Sequence, residues 1–82
     1  MTQARVRIDP QLAALPRSAW EGLIHEANLG DEDSDLARRY FIQKQCQIDI
    51  AIDKDMACRT VQRRLETAKK SIVQTYNRKL SS

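Results

Sequence analysis

An all-α fold, a small domain of four helices with the longest at its C-terminal end, is what these 82 residues predict. Three observations carry that reading. Apolar residues recur every three or four positions along most of the chain, which is the helical period. No glycine or proline occurs from residue 58 to the end, so nothing interrupts the last run. The composition, 41% hydrophobic with only 5% aromatic and 30% charged, suits packed helices better than a disordered chain or a membrane protein. A chain this short holds a single core, which excludes a multidomain enzyme.

Residues 1–14 show no helical period. Within them Arg5-Val6-Arg7-Ile8 alternates as a short extended piece before Asp9-Pro10, so 1–14 is expected to be a loosely structured arm and 15–82 the helical domain. Pro16 fits the first turn of a helix, and Trp20, Leu23, Ile24 and Ala27 follow at i, i+3, i+4 and i+7 until Gly30 ends it. The run Asp31-Glu32-Asp33-Ser34-Asp35 offers N-caps for a second helix, where negative charge complements the positive helix end. Leu36, Ala37, Tyr40 and Phe41 carry that helix to about Gln43.

A third helix is expected over 47–54, with Ile48, Ile50, Ala51 and Ile52. The alternating isoleucines make a strand its competitor, including a small pairing with Val6 and Ile8. Helix is preferred because Asp49, Asp53 and Lys54 interrupt the run and a lone strand leaves its backbone unpaired. From Ala57 or Cys58 onward, Cys58, Val61, Leu65, Ala68, Ile72 and Tyr76 form a narrow apolar stripe at 100° per residue, with Arg59, Arg63, Glu66 and Lys70 nearly opposite.

Charge is divided along the chain. Residues 1–55 hold seven basic and ten acidic groups, a net of −3, whereas 56–82 hold seven basic groups and only Glu66, a net of +6. A basic C-terminal third attracts a polyanion, for which nucleic acid is the common cellular choice; a solvated basic face is the plainer reading.

Chemistry has few footholds. His25 has no nucleophile in a known arrangement, and the carboxylates of the acidic run and of Asp49 and Asp53 are explained by capping and solubility. Gly22 and Gly30 cannot build a phosphate loop, so no enzyme activity and no cofactor are expected. Cys46 and Cys58, with His25 far away, match no zinc spacing, and no metal is expected. The N-terminus lacks a basic start followed by an apolar signal core, and no apolar run nears the roughly 18 residues of a membrane span. These features predict a cytoplasmic protein without membrane contact, its cysteines free and buried.

The informative constellation is a short helix, a tight connection and a long basic helix over 47–65, which looks like a helix-turn-helix. Ile50 and Ala51 bury the first helix, Met56 plugs the turn, and Val61 with Leu65 anchors the second. Arg59, Thr60, Gln62 and Arg63 are then free to face a major groove. At these residues the chain resembles the fourth conserved region of bacterial RNA polymerase sigma factors and the small sigma-like regulators of phages and mobile elements. The likeness spans about 15–80 and rests on Ile50-Ala51, Met56, and Thr60-Val61 followed by Arg63-Arg64-Leu65. Asp33 through Tyr40, with Leu36 and Arg38-Arg39, is similar to the helix preceding the motif, and the Leu15-Pro16 start with Trp20 to the opening helix of the small regulators.

The resemblance implies a sequence-specific, double-stranded-DNA-binding transcription regulator that can recruit RNA polymerase. It implies base contacts from Arg59, Thr60, Gln62 and Arg63 and phosphate contacts from Lys44, Gln45, Gln47, Arg64 and Lys70. The chain departs from the pattern in three ways. Lys54 stands at a usually apolar position, Ala57 replaces the small hydroxyl that caps the recognition helix unless Asp55 substitutes, and Ile48 and Ile52 stand where polar residues are typical. These two isoleucines imply a rotated helix, packing beneath the arm, or a surface for a protein partner. On the last reading the chain is a protein-binding helical adaptor, engaging polymerase or a host protein without reading DNA. The distal stripe, widened by Val73 and Leu80, could also seam a homodimer.

Overall fold

The computed structural model describes residues 10–81, and among them every regular element is helical. The order is α1 (Pro10–Ala13), α2 (Arg17–Ala27), α3 (Asp31–Ala37), a π-helical segment (Arg38–Ile42) that continues α3, α4 (Gln47–Lys54) and α5 (Cys58–Ser81). The all-α expectation holds, with one short helix more than the four expected. The alternating stretch at Arg5 to Ile8 lies outside the described residues.

The expectation of a loose arm is corrected at its C-terminal part. Pro10 opens a helical turn whose carbonyl accepts the Ala14 N–H at 3.2 Å, and Leu12 is buried in the common core. One buried leucine in four residues is too little to register as a period. Pro16 sits one place earlier than expected, as the extended N-cap of α2, with its carbonyl accepting from Ala19 and Trp20. Asn28, not Gly30, ends α2. Its φ of 55° lies in the left-handed region that asparagine tolerates. Gly30, at φ 90°, instead opens α3 by accepting the Ser34 N–H at 2.9 Å. The acidic run therefore supplies no side-chain cap; Asp31, Glu32 and Asp33 occupy the first turn and face the helix dipole.

The π segment decides which residues reach the core. Its signature is the Gln43 N–H donating to the Arg38 carbonyl, five residues back, at 2.9 Å. In a continued α-helix Ile42 would lie about 240° from Leu36, on the solvent side. The wider turn advances less per residue, so Phe41 is buried and Ile42 packs against the core. Phe41 stacks on Trp20 with ring centroids 5.2 Å apart and planes at 8°, and Tyr40 meets it edge-on.

Helix α4 forms over the residues expected, and the strand alternative fails. Ile50 and Ala51 are buried, while Ile48 and Ile52 point outward, which also removes the rotated-helix reading. Its end is a Schellman turn: Asp55 is left-handed at φ 54°, its N–H donates to Ile52, and Met56 N–H donates to Ala51 at 2.9 Å. Aspartate bears a strain there that glycine does not. Asp55→Gly is expected to raise stability by about 0.5 to 1 kcal/mol, read as a higher urea midpoint at unchanged slope.

Helix α5 spans 24 residues, about 36 Å at 1.5 Å each, close to the 40 Å longest dimension of the molecule. Val61, Leu65, Ala68 and Ile72 are buried as the stripe predicts, and α2, α3 and α4 all pack against this helix. Cys58 and Tyr76 are half-buried at the stripe's margins. Thr75 is buried too, its hydroxyl satisfied by the Ser71 carbonyl at 2.9 Å.

Candidate nucleic-acid interface

Three residues, 55–57, join α4 to α5, so the first turns of α5 emerge directly beside α4. Burial of Val61 and Leu65 forces the opposite side of α5 to solvent. Arg59, Thr60 and Arg63 are exposed there, Gln62 is half-buried at the flank, and Lys70 continues the same face. Thr67 borders it, with its hydroxyl donating to the Arg63 carbonyl at 3.2 Å. Lys44 is exposed in the connection before α4, at φ 62°.

The ion pairs separate two populations of cations. Arg38 pairs with Glu21 at 2.9 Å; Arg39 pairs with Asp35 at 3.0 Å and Asp53 at 3.3 Å; Lys54 pairs with Asp35 at 3.0 Å and Glu32 at 3.7 Å. Acidic residues of the first 55 thus pair Arg38, Arg39 and Lys54 and join α3 and its π extension to α2 and α4, and they also reach α5 through Asp33 with Arg64 and Glu26 with Lys79. Among the described residues Lys44, Arg59, Arg63 and Lys70 form no ion pair. Their charge is left to the solvent side.

Two of the expected phosphate contacts sit differently. Gln47 is only 6% exposed, and its Nε2 is buried without a hydrogen-bond partner, which takes this side chain off the surface and corrects that expectation. Helical geometry contains the signal, because position 47 projects between Ile50 and Ala51, the two inward residues. Gln45 is half-buried, with its Oε1 also buried and unpartnered. Arg64 is exposed but engaged, its Nη1 3.2 Å from Asp33 Oδ1. This contact between α5 and the acidic run was not legible from spacing.

The Lys54 amine turns to the α3 carboxylates Asp35 and Glu32, and Asp35 also accepts from Arg39, which reaches on to Asp53. The hydrogen bond from Lys54 holds the Asp35 carboxyl below its usual range, with Arg39 adding to the effect and partial burial opposing it. The same bond raises Lys54. With the aspartate lowered, its contribution to stability is present above the ordinary carboxylate range and is lost as pH falls through the lowered value. With the lysine raised, its contribution is present below the ordinary lysine range and is lost as pH rises through the raised value. The pairs are partly solvated, so they orient helices more than they stabilise them.

The Ala57 carbonyl accepts the Val61 N–H at 3.1 Å, and among the described residues the Asp55 side chain makes no hydrogen bond that caps α5. Neither cysteine forms a disulfide, and both are less buried than expected: Cys46 is exposed and Cys58 half-buried. No group of three or more histidine, cysteine, aspartate or glutamate side chains among the described residues could hold a metal ion. None of the described helices is long and apolar enough to cross a membrane.

Comparison with protein-family models, with curated proteins and with solved structures returns no match to this chain.

Proposed function

We propose that the chain is a sequence-specific DNA-binding transcription regulator, built on a helix-turn-helix over 47–65 and acting in the cytoplasm without catalysis. The observation that carries this reading is the exposed face of α5, where, among the described residues, Arg59, Arg63 and Lys70 form no ion pair, with Glu66 the one carboxylate on that face, while Arg38, Arg39 and Lys54 are paired. Unpaired arginines on a rigid helix are the donors that guanine N7 and O6 accept in the major groove. Thr60 and Gln62 add hydrogen-bonding groups at the same end, and Lys44 and Lys70 supply charge for phosphates. The resemblance to the fourth region of sigma factors suggests RNA polymerase as a second partner.

The test is selection of a random-sequence duplex library on the purified protein at low and near-physiological salt, with sequencing of the retained fraction. Enrichment of one motif that survives the higher salt is expected. Binding that disappears entirely by 200 mM salt without enrichment would leave only a non-specific cation, and binding absent at both salts would overturn the proposal.

A further inference from the structure

Three large apolar side chains stand exposed among the described residues: Ile48 at 49%, Ile52 at 71% and Leu80 at 64%. They form two separate patches. Ile48 and Ile52 lie one turn and about 40° apart on the outer side of α4, and exposed Asp49 sits about 60° from Ile52 on that side. Leu80 ends a strip along distal α5 that includes half-buried Val73 and Tyr76, and half-buried Lys69 lies within about 40° of both Val73 and Leu80. Neither Asp49 nor Lys69 forms an ion pair among the described residues. One patch is thus apolar with an unpaired anion, the other apolar with an unpaired cation.

Within one molecule the two patches cannot meet. Helix α4 is about 12 Å long and three residues join it to the start of α5, whereas Leu80 stands about 33 Å along α5 from Cys58. Pairing a patch with its own equivalent fits poorly. A two-fold contact between α4 faces sets Asp49 near Asp49, and one between distal α5 segments joins the parts of two chains, 56–82, that each carry a net charge of +6. Pairing unlike patches joins opposite charges.

We infer that the occupant of the α4 face is a second copy of this chain, which lays distal α5 against Ile48 and Ile52. These two span about 6 Å, while Val73 and Leu80, two turns apart, span about 10.5 Å, so the isoleucines seat between them as knobs between ridges. With the two helices running in the same direction, Lys69, one turn before Val73, comes to the Asp49 end of the contact. The surface is small beside the roughly 800 Å² that each partner gives a standard interface. The association is therefore weak, with a dissociation constant between about 1 μM and 1 mM. Because the patches differ, the contact is heterologous, and each pair keeps one free patch of each kind for the next copy. Arg59 and Arg63, in the first two turns of α5, belong to neither patch, so this inference does not rest on DNA binding.

The experiment is sedimentation equilibrium of the full chain without nucleic acid, from about 10 μM to 1 mM at near-physiological salt. The weight-average mass is expected to climb above 9.4 kDa with concentration. Ile52→Asp and Leu80→Asp should each weaken association by about tenfold or more, since each sets a charge in the contact. An equimolar mixture of the two variants should pair and grow no further, because each supplies the patch that the other lacks. Asp49→Lys should also weaken association, and Asp49→Lys combined with Lys69→Glu should restore it; this exchange leaves the apolar surface intact. A mass fixed at 9.4 kDa throughout would overturn the proposal and assign the α4 face to a partner of another kind. Association weakened by only one of the two apolar variants, or a mixture no heavier than its components, would overturn it in favour of a contact between like patches. Association that neither variant changes would overturn it in favour of a contact elsewhere. Ile52 and Leu80 are both largely exposed, so their variants should fold.

Discussion

Arg63→Ala is expected to lower affinity for the selected DNA site by roughly 5- to 150-fold, the equivalent of the 1 to 3 kcal/mol carried by one bidentate contact to guanine. Binding to unrelated duplexes should fall much less. Arg63 is the sharpest probe because it is exposed, forms no ion pair among the described residues and sits opposite the buried Val61 and Leu65 side of α5. Its removal leaves no buried group unpaired and should not disturb folding. Lys70→Ala provides the contrast: a similar loss on every sequence and a salt slope smaller in magnitude by about one. Fluorescence polarisation on the enriched site and on a scrambled duplex, across a salt series, distinguishes the two. Equal loss on both duplexes for Arg63→Ala would reassign that residue to phosphate.

The largest effect on folding is expected at Phe41. Truncation to alanine removes a fully buried ring stacked on Trp20 and edge-on to Tyr40, and leaves a void at the junction of α2 and the π segment. Such changes cost roughly 3 to 5 kcal/mol. An 82-residue domain commands only about 4 to 12 kcal/mol in total at 0.05 to 0.15 per residue. Phe41→Ala should therefore be partly unfolded at 37 °C, with Trp20 emission shifted to the red. Trp20 is the single tryptophan, so its fluorescence reports this site without interference. Phe41→Leu, which fills more of the space, should recover part of the loss; an unchanged denaturation midpoint in Phe41→Ala would show that the ring adds nothing to the core.

The parts of this architecture legible in the sequence are those where one physical pattern acts alone. The bounds of α4 and the start of α5 follow from amphipathic spacing in a stretch without glycine or proline, and burial of Val61, Leu65, Ala68 and Ile72 follows from the same period. The end of α2 was harder, because Asn28 and Gly30 both accept positive φ and only the path into α3 decides between them. The pairs of Lys54 with Asp35 and of Arg64 with Asp33 join residues 19 and 31 positions apart, so no local spacing announces them. At the candidate site, exposure of Arg59 and Arg63 was legible because it is the complement of the apolar stripe. Burial of Gln47 was legible in principle from its angular position, but a polar residue at a helix start invites the opposite expectation.

The π segment has a consequence for how this chain can be aligned with any other. Between Arg38 and Ile42 the helix accommodates more residues in a turn than an α-helix does, so positions before and after it keep different phase. A template that counts residues at fixed intervals from Leu36 is in step with this protein through Ala37 and out of step from Arg38 onward. It would assign Ile42 to solvent and misjudge the inward face of everything leading into α4. An alignment that opens a one-residue gap within 38–42 restores both faces, and that gap is a property of the backbone rather than of any side chain.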